Sequence, residues 1–486
     1  MQTIDFVVFA VFTLGVVFFG CSFFRKGGSA EEFAHAGRSL PGWVVGMSIF
    51  ATYVSSISYI GYPGKAFATN WNAFVFSLSI PLAAFLAARY FVPFYRYSGS
   101  VSAYAFLEDK FGRWARLYAS ACYLLTQIAR MGSILYLLAM PMHILMGWDM
   151  VAVIIATTAL VVIYSMLGGL KAVIWADAIQ GIILIGGALL CLGILLFSMP
   201  DGPLQTFQLA IDATEGNKFS LGSFGTSLTE STFWVCLVYG IFINLQNYGI
   251  DQNYVQRYHT AKNLRAARFS VLFGGYLFIP VSALFFLIGT ALYSYYAAGV
   301  APLPEDIASH PDYVFPYFIV NSLPVGLRGL LIASIFAAGM STVSTSVTSA
   351  ATVILKDYVE PHLTARQTSP LKILRLSSLA IGLLGLLTAI AMLGVKSIVD
   401  AWWILSSIFS GGMLGLFLLG IMPRCIGRGA ALTGCLAGIV VIAWISLAGT
   451  CDLPGIHLHE YLAIVIGTAT IFVIGFLSAL LCTKRR

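Results

Sequence analysis

Phe50-Ala51-Thr52-Tyr53-Val54-Ser55-Ser56-Ile57-Ser58-Tyr59 opens a segment that continues to Gly61, Pro63 and Gly64. Its flanks are apolar, yet hydroxyls crowd its middle and helix breakers follow. Backbone in hydrocarbon must satisfy its own hydrogen bonds, so irregular backbone persists there only against protein or a water-filled cavity. The segment therefore reads as a membrane helix interrupted beside a cavity.

The rest of the chain supports a membrane setting. Apolar residues make up 59% of its 486 residues and charged residues only 10%, against about 25% charged in a soluble domain. A span needs about 20 mostly apolar residues. Thirteen such runs are present: 4–24, 43–65, 73–96, 117–146, 150–168, 175–198, 232–250, 271–297, 327–352, 374–393, 399–422, 430–448 and 461–482. The first lacks a basic leader and a cleavage site, so it reads as a span rather than a signal peptide.

The eight cysteines are scattered, most of them inside apolar runs, without a C-x-x-C pair, which argues against a disulfide framework or a zinc site. Cys451, Asp452, His457 and His459 share a loop without standard ligand spacing and read as solvated. No loop is large enough for a soluble catalytic domain, and no Walker A, H-E-x-x-H or G-x-S-x-G motif occurs, so the chain is not expected to be an enzyme.

Loop charges orient the chain. One set of alternate loops holds Arg25, Lys26, Arg38, Arg96, Lys110, Arg113, Arg116, Lys171, Arg257, Lys262, Arg265 and Arg268. It continues with Lys356, Arg366, Lys372, Arg375, Arg424, Arg428, Lys484, Arg485 and Arg486. The opposite set holds only Lys65, Lys218, Arg328 and Lys396. The positive-inside rule places the rich set in the cytoplasm, the N-terminus outside and the C-terminus inside. Termini on opposite sides require an odd number of spans, in agreement with thirteen. The net charge of +7 thus reflects orientation and not a nucleic-acid partner.

Two charges fall clearly within spans, Arg130 and Asp177. Such residues are costly and usually face a cavity or a partner. Arg130 reads either as a ligand for an anion or as a structural tie between helices. Asp177 lies about one turn into its span, where a helix N-terminus would also favour it. The ninth span carries Ser341, Ser344, Thr345, Thr348 and Ser349 on one helical face. Such a stripe serves close helix packing or supplies oxygen ligands. Its depth matches that of Asp177, and a carboxylate facing hydroxyls suits a hard cation.

The seventh span carries Asn244, Gln246 and Asn247. It lies five spans after the interrupted second one and so runs in the opposite direction. Spans 2–6 and 7–11 are expected to form two inverted repeats around a midplane site. The expected divisions are 1–42 (extra N-terminal span and inner loop), 43–198 (first repeat), 199–231 (outer loop), 232–422 (second repeat) and 423–486 (two extra spans).

Four motifs together resemble the sodium:solute symporter family over almost the full length. They are residues 50–58 above; Leu167-Gly168-Gly169-Leu170-Lys171-Ala172-Val173-Ile174-Trp175-Ala176-Asp177; Val255-Gln256-Arg257-Tyr258; and Phe336-Ala337-Ala338-Gly339-Met340-Ser341-Thr342-Val343-Ser344-Thr345. The resemblance implies an all-α membrane protein with a LeuT-type core of two inverted five-helix repeats. It implies two coupling sodium ions. One would be held by the carbonyls of Ala51, Val54 and Ala338 with the hydroxyls of Ser341 and Thr342. The other, found in some members, would be held by Asp177, Ser341, Ser344 and Thr345.

Among branches, the chain is most similar to bacterial sialic acid symporters, which implies that Arg130 pairs with a solute carboxylate. Ser55 matches that branch, and Ser58 keeps a hydroxyl in place of threonine. Tyr53 and Ser77 stand where the branch has threonine and glutamine, and Tyr53 is bulky enough to shrink the pocket. Asn244 and Gln246 complete the expected solute site.

The resulting expectation is a sodium-coupled importer of a small organic solute, a carboxylate-bearing sugar acid such as sialic acid, in the bacterial cytoplasmic membrane. Neutral sugars, monocarboxylates and vitamins are alternatives, as is a passive channel or sensor on the same scaffold. Sodium, the solute and the bilayer are the expected partners, with no obligate protein partner.

Overall fold

The protein is described from a computed structural model covering residues 3–23, 36–214, 216–362, 369–395, 397–422, 426–448 and 458–483. Cys451, Asp452 and His457 lie outside the described residues, as do Arg25, Lys26, Arg366, Lys396, Arg424 and the three basic residues at the C-terminus. Twelve described helices are long and apolar enough to cross a membrane, and a bent pair makes a thirteenth span.

The spans run in order as α1 (Thr3–Ser22), the bent pair α2 (Gly42–Tyr53) and α3 (Ile57–Ala68), α4 (Trp71–Ser98), then α5 (Arg113–Met146). Next come α6 (Met150–Leu167), α7 (Gly169–Phe197) and α8 (Phe233–Ile250). A short helix α9 (Gln252–Thr260) precedes α10 (Leu264–Ala297), α11 (Leu327–Val353) and α12 (Pro370–Ala391). The last three are α13 (Ile398–Ile421), α14 (Arg428–Ala448) and α15 (Leu462–Thr483). Helices are the only open-chain solution in hydrocarbon, because they close every backbone hydrogen bond within the segment. The result is the LeuT-type all-α architecture.

α11 is the axis of the molecule. Every residue from Leu331 to Val353 is buried, and the helix packs against α1, α2, α5, α7 and α12. Its small side chains let neighbouring backbones come close. α14 and α15 pair with each other at the periphery, and their exposed leucines and valines form an apolar outer face.

The interruption of the second span lies earlier than the sequence suggested. α2 ends at Tyr53, Val54 is extended (φ −77°, ψ 110°), and the halves of the span bend by 58°. Gly61, Pro63 and Gly64 are instead inside the continuing helix. Their role is close packing: a Cβ on Gly64 would stand 2.7 Å from the Pro311 carbonyl oxygen, and one on Gly289 of α10 would stand 2.2 Å from that of Pro63. The seventh span is also interrupted. Asp251 is extended between α8 and α9, and its side chain accepts from the Asn253 amide as the cap of α9.

Spans five and six are separated by one residue rather than a loop. Gly169 turns the chain with φ +62°, a conformation that suits glycine. α7 therefore begins at Gly169, and Asp177 sits more than two turns inside it, beyond reach of the helix terminus.

Candidate functional site

The break in span two leaves carbonyls without helical partners, and hydroxyls from α11 meet them. Ser341 Oγ donates to the Ala51 carbonyl at 2.8 Å and to Ala338 at 3.1 Å. Thr342 Oγ1 donates to Ala338 at 3.2 Å and to Thr52 at 3.4 Å. The family resemblance implied a set of Ala51, Val54, Ala338, Ser341 and Thr342. Four of these five converge through their oxygens, and Val54 is the buried hinge beside them. A set of neutral carbonyl and hydroxyl oxygens gathered at a helix break fits a hard monovalent cation.

Beside this cluster lies a small cavity of about 50 Å³. Tyr53, Ser55, Ser58 and Arg130 of the expected solute site line it. Arg130 is 9% exposed, and its Nη2 donates to the Thr52 carbonyl at 2.7 Å. Its guanidinium carbon lies 6.0 Å from the centre of the Trp402 ring. One hydrogen bond uses one of five guanidinium donors, so the same arginine ties the broken backbone and borders the cavity.

Three residues expected at the solute site do not border the cavity. Ser77 Oγ is buried 2.8 Å from Ser282 Oγ of α10. The Asn244 amide donates to Ser79 Oγ at 2.8 Å and to the Phe76 carbonyl at 3.3 Å, and its oxygen accepts from the Tyr53 hydroxyl. It positions Tyr53 from behind. Gln246 is buried, and neither polar atom of its amide has a hydrogen-bond partner among the described residues. Of the three amides on α8, Asn247 is the one that lines the cavity. Helical rotation turns Gln246 about 100° away from Asn247, whereas Asn244, three residues before Asn247 and on nearly the same face, is taken up by Ser79, Phe76 and Tyr53.

The sequence reading missed the aromatic wall formed by Tyr62, Phe76, Tyr239, Trp402 and Trp403. The pair Trp402-Trp403 in a predicted span was a signal in plain view. Phe76, Tyr239 and Trp403 pack ring against ring at 5.2–5.7 Å. Tyr461 stacks on Tyr239, meets Trp403 edge-on and donates to Asp400 Oδ1 at 3.0 Å. Above this layer is a larger vestibule of about 530 Å³, bordered by Lys65, Asp400 and His459. Lys65 and Asp400 pair at 2.7 Å across its wall and are 27% and 36% exposed.

The surroundings of Asp177 add partners to the expected set. The expected set was Asp177 with Ser341, Ser344 and Thr345. Thr345 is in the cluster, but Ser341 turns to the first cluster and Ser344 Oγ donates to the Ser341 carbonyl. The direct partners of Asp177 Oδ2 are Ser48 Oγ at 2.6 Å and Arg257 Nη2 at 2.8 Å. Arg257 had been counted as a loop cation. It is fully buried on α9, and Asp251 is a second buried acid that the reading overlooked. The buried charges here are therefore Arg130, Arg257, Asp177 and Asp251. Asp177 Oδ1 has no hydrogen-bond partner among the described residues, so this carboxylate retains capacity for a cation.

Comparison with known proteins places this geometry. The chain is 31% identical over 482 residues to the sodium/sialic acid symporter NanT of Aliivibrio fischeri, covering 98% of this chain and 93% of the relative. It is 30% identical over 455 residues to the human sodium-coupled monocarboxylate transporter 2, covering 91% and 72%. Its structure superposes with a TM-score of 0.90 on a sodium-coupled sialic acid symporter solved substrate-bound and outward-open with a novel sodium site, at 29% identity over 99% of this chain and 98% of that one. The profile of the sodium:solute symporter family matches residues 33–438. This multi-pass membrane protein, a sodium-coupled secondary transporter and not an enzyme, belongs to the sodium:solute symporter family.

Proposed function

We propose that the transported solute bears a carboxylate, that Arg130 receives it, and that two sodium ions accompany it. The observation that carries this reading is the Arg130–Thr52 hydrogen bond at 2.7 Å. Thr52 follows Ala51, whose carbonyl is in the first oxygen cluster, and its own carbonyl also accepts from Thr342. A carboxylate on Arg130 would thus sit one residue away from the first sodium position. That arrangement gives each ligand a physical reason to favour the other. The four buried charges sum to zero, so added sodium leaves an excess of positive charge that an anionic solute offsets.

Ala51, Val54, Ala338, Ser341 and Thr342 would hold the first ion. Asp177 and Thr345, with Ser341 and Ser344 nearby on α11, would hold the second. The unpaired Asp177 Oδ1 supports the second position, and the Arg257 pairing bears on how it is used. The basic loops support an N-terminus outside and a C-terminus inside a bacterial cytoplasmic membrane. The inverted repeats are assigned to 43–198 and 232–422, each opening with an interrupted span.

Sialic acid is the first candidate, since two independent comparisons point to transporters of it. A compact monocarboxylate is the second reading. It is favoured by the small aromatic cavity and by Tyr53, which Asn244 holds in place.

The test is binding of sialic acid, its methyl ester and a short monocarboxylate to purified protein in sodium. The acid should bind roughly tenfold to a hundredfold more tightly than its ester, about 1.4–2.8 kcal/mol. Arg130→Lys should weaken the acid although charge is kept, because an ammonium cannot reproduce the planar fork. Equal affinity for acid and ester would overturn the carboxylate assignment. Preference for the short acid would select the second reading.

A further inference from the structure

Arg257 occupies the oxygen cage that the second sodium would need. Its Nη2 donates to Asp177 Oδ2 at 2.8 Å and to Thr345 Oγ1 at 2.6 Å. Its Nε donates to Ser48 Oγ at 2.8 Å, and its Nη1 to the Asn253 carbonyl at 2.7 Å. One guanidinium therefore joins α2, α7 and α11 to its own helix, α9. It is fully buried, as is Asp177.

The cage has more oxygen than the arginine uses. Asp177 Oδ1 is unpartnered among the described residues. So is Ser349 Oγ, four residues beyond Thr345 on α11, and so are both polar atoms of Gln180, three residues beyond Asp177 on α7. These intervals place each on the same helical face as its neighbour. Buried polar atoms are almost always satisfied, and each exception calls for an explanation such as an ion. A carboxylate with one oxygen taken by an arginine and the other idle has room for a second cation. Two cations on one buried carboxylate repel, however, and the low dielectric magnifies that repulsion.

We propose that Arg257 is a tethered cation that exchanges with sodium at Asp177. With sodium absent, the guanidinium neutralises the carboxylate and fills the Thr345 position. Sodium binding displaces Nη2 from both oxygens. Arg257 rides on α9, a nine-residue helix that hangs from the extended residue Asp251 at the break of span seven. Displacement of the side chain therefore loosens α9 from α2, α7 and α11. In this way ion occupancy is converted into movement of the segment that follows the break. The inference rests on the second sodium position proposed above, and it adds a competitor within the chain.

The experiment uses full-length purified protein. Thermal stabilisation is titrated with sodium at constant ionic strength for the wild type, Arg257→Gln, Asp177→Asn and the double variant. Removing the competitor should lower the half-saturating sodium concentration about tenfold. That gain should vanish in the Asp177→Asn background. Hydrogen exchange on the wild type supplies a reading independent of whether Arg257→Gln folds. Sodium should raise exchange across 252–260 while protecting the rest of the core, and should fail to do so in Asp177→Asn. An unchanged or raised sodium midpoint in Arg257→Gln, or unaltered exchange at 252–260 in the wild type, overturns the exchange. If Asp177→Asn leaves the sodium titration unchanged in both backgrounds, the second sodium position itself is wrong.

Discussion

Tyr53 stacks on Tyr248 with ring centroids 5.6 Å apart and meets Phe278 edge-on at 4.6 Å. Its hydroxyl donates to Asn244, which is itself fixed by Ser79 and Phe76. Packing on one side and a hydrogen bond on the other leave the ring one resting place. It therefore sets the width of the cavity. Tyr53→Thr should open space for a larger solute and cost roughly 2–5 kcal/mol of stability, as large-to-small core changes do. The measurement is affinity for sialic acid and for a short monocarboxylate, alongside the melting temperature. Ligand selectivity that stays the same despite lost stability would remove Tyr53 from the size filter. The character of Tyr53 as a bulky departure was legible in the sequence. Its hydrogen-bond partner was not, because Asn244 is 191 residues away.

At the scale of elements, the working part is the meeting of a broken helix with an unbroken one. Val54 frees carbonyls at the end of α2, and α11 supplies hydroxyls at fixed helical intervals. Neither element binds an ion alone. Ser341→Ala with Thr342→Ala removes two ligands while leaving the carbonyls of Ala51 and Ala338 in place. The double variant should fold, since each hydroxyl is worth only about 1 kcal/mol in net hydrogen bonding. It should lose sodium-driven uptake and lose most of the sodium-dependent rise in melting temperature. Sodium stabilisation that survives the double change would move the ion elsewhere. The residues of this junction were legible from motif and polarity. The position of the break was not: Gly61 and Pro63 look like breakers, but the helix runs through both, and Pro63 follows a π-helical turn over Ile57–Gly61 that shifts the local hydrogen-bond pattern. Gly64 serves instead to admit the Pro311 carbonyl.

At the scale of the molecule, a small cavity lies beneath an aromatic layer, and a vestibule roughly ten times larger lies above it. Gly222, Ser223, Glu230 and Ser231 border the vestibule from the loop that precedes α8. Lys218 of the same loop is buried, donating to the Phe67 carbonyl at 3.0 Å and lying 4.3 Å from the Tyr293 ring. His459 reaches back to the Leu228 carbonyl at 2.8 Å. On the orientation proposed from the loop charges, this end faces the outside of the cell. With the native cysteines replaced, Thr229→Cys should react with an impermeant thiol reagent on intact cells. Ser369→Cys should react only after the membrane is opened. The reverse pattern would invert the assigned orientation.

Composition and periodicity determined the spans, because hydrocarbon forces each crossing segment to be helical and apolar over a fixed length. Local motifs likewise determined which residues have oxygen to offer. Tertiary structure decided which of those oxygens face one another. Rotation about each helix axis turned Asn247 toward the cavity and Ser77 away from it. The fate of Arg257 depended most on the fold. In the sequence it follows a span and reads as one more cytoplasmic charge. Only the break at Asp251 returns its helix to the protein interior, where α2, α7 and α11 surround it with acceptors. A charge can be buried only where partners from several segments meet, and no single stretch of sequence contains that meeting.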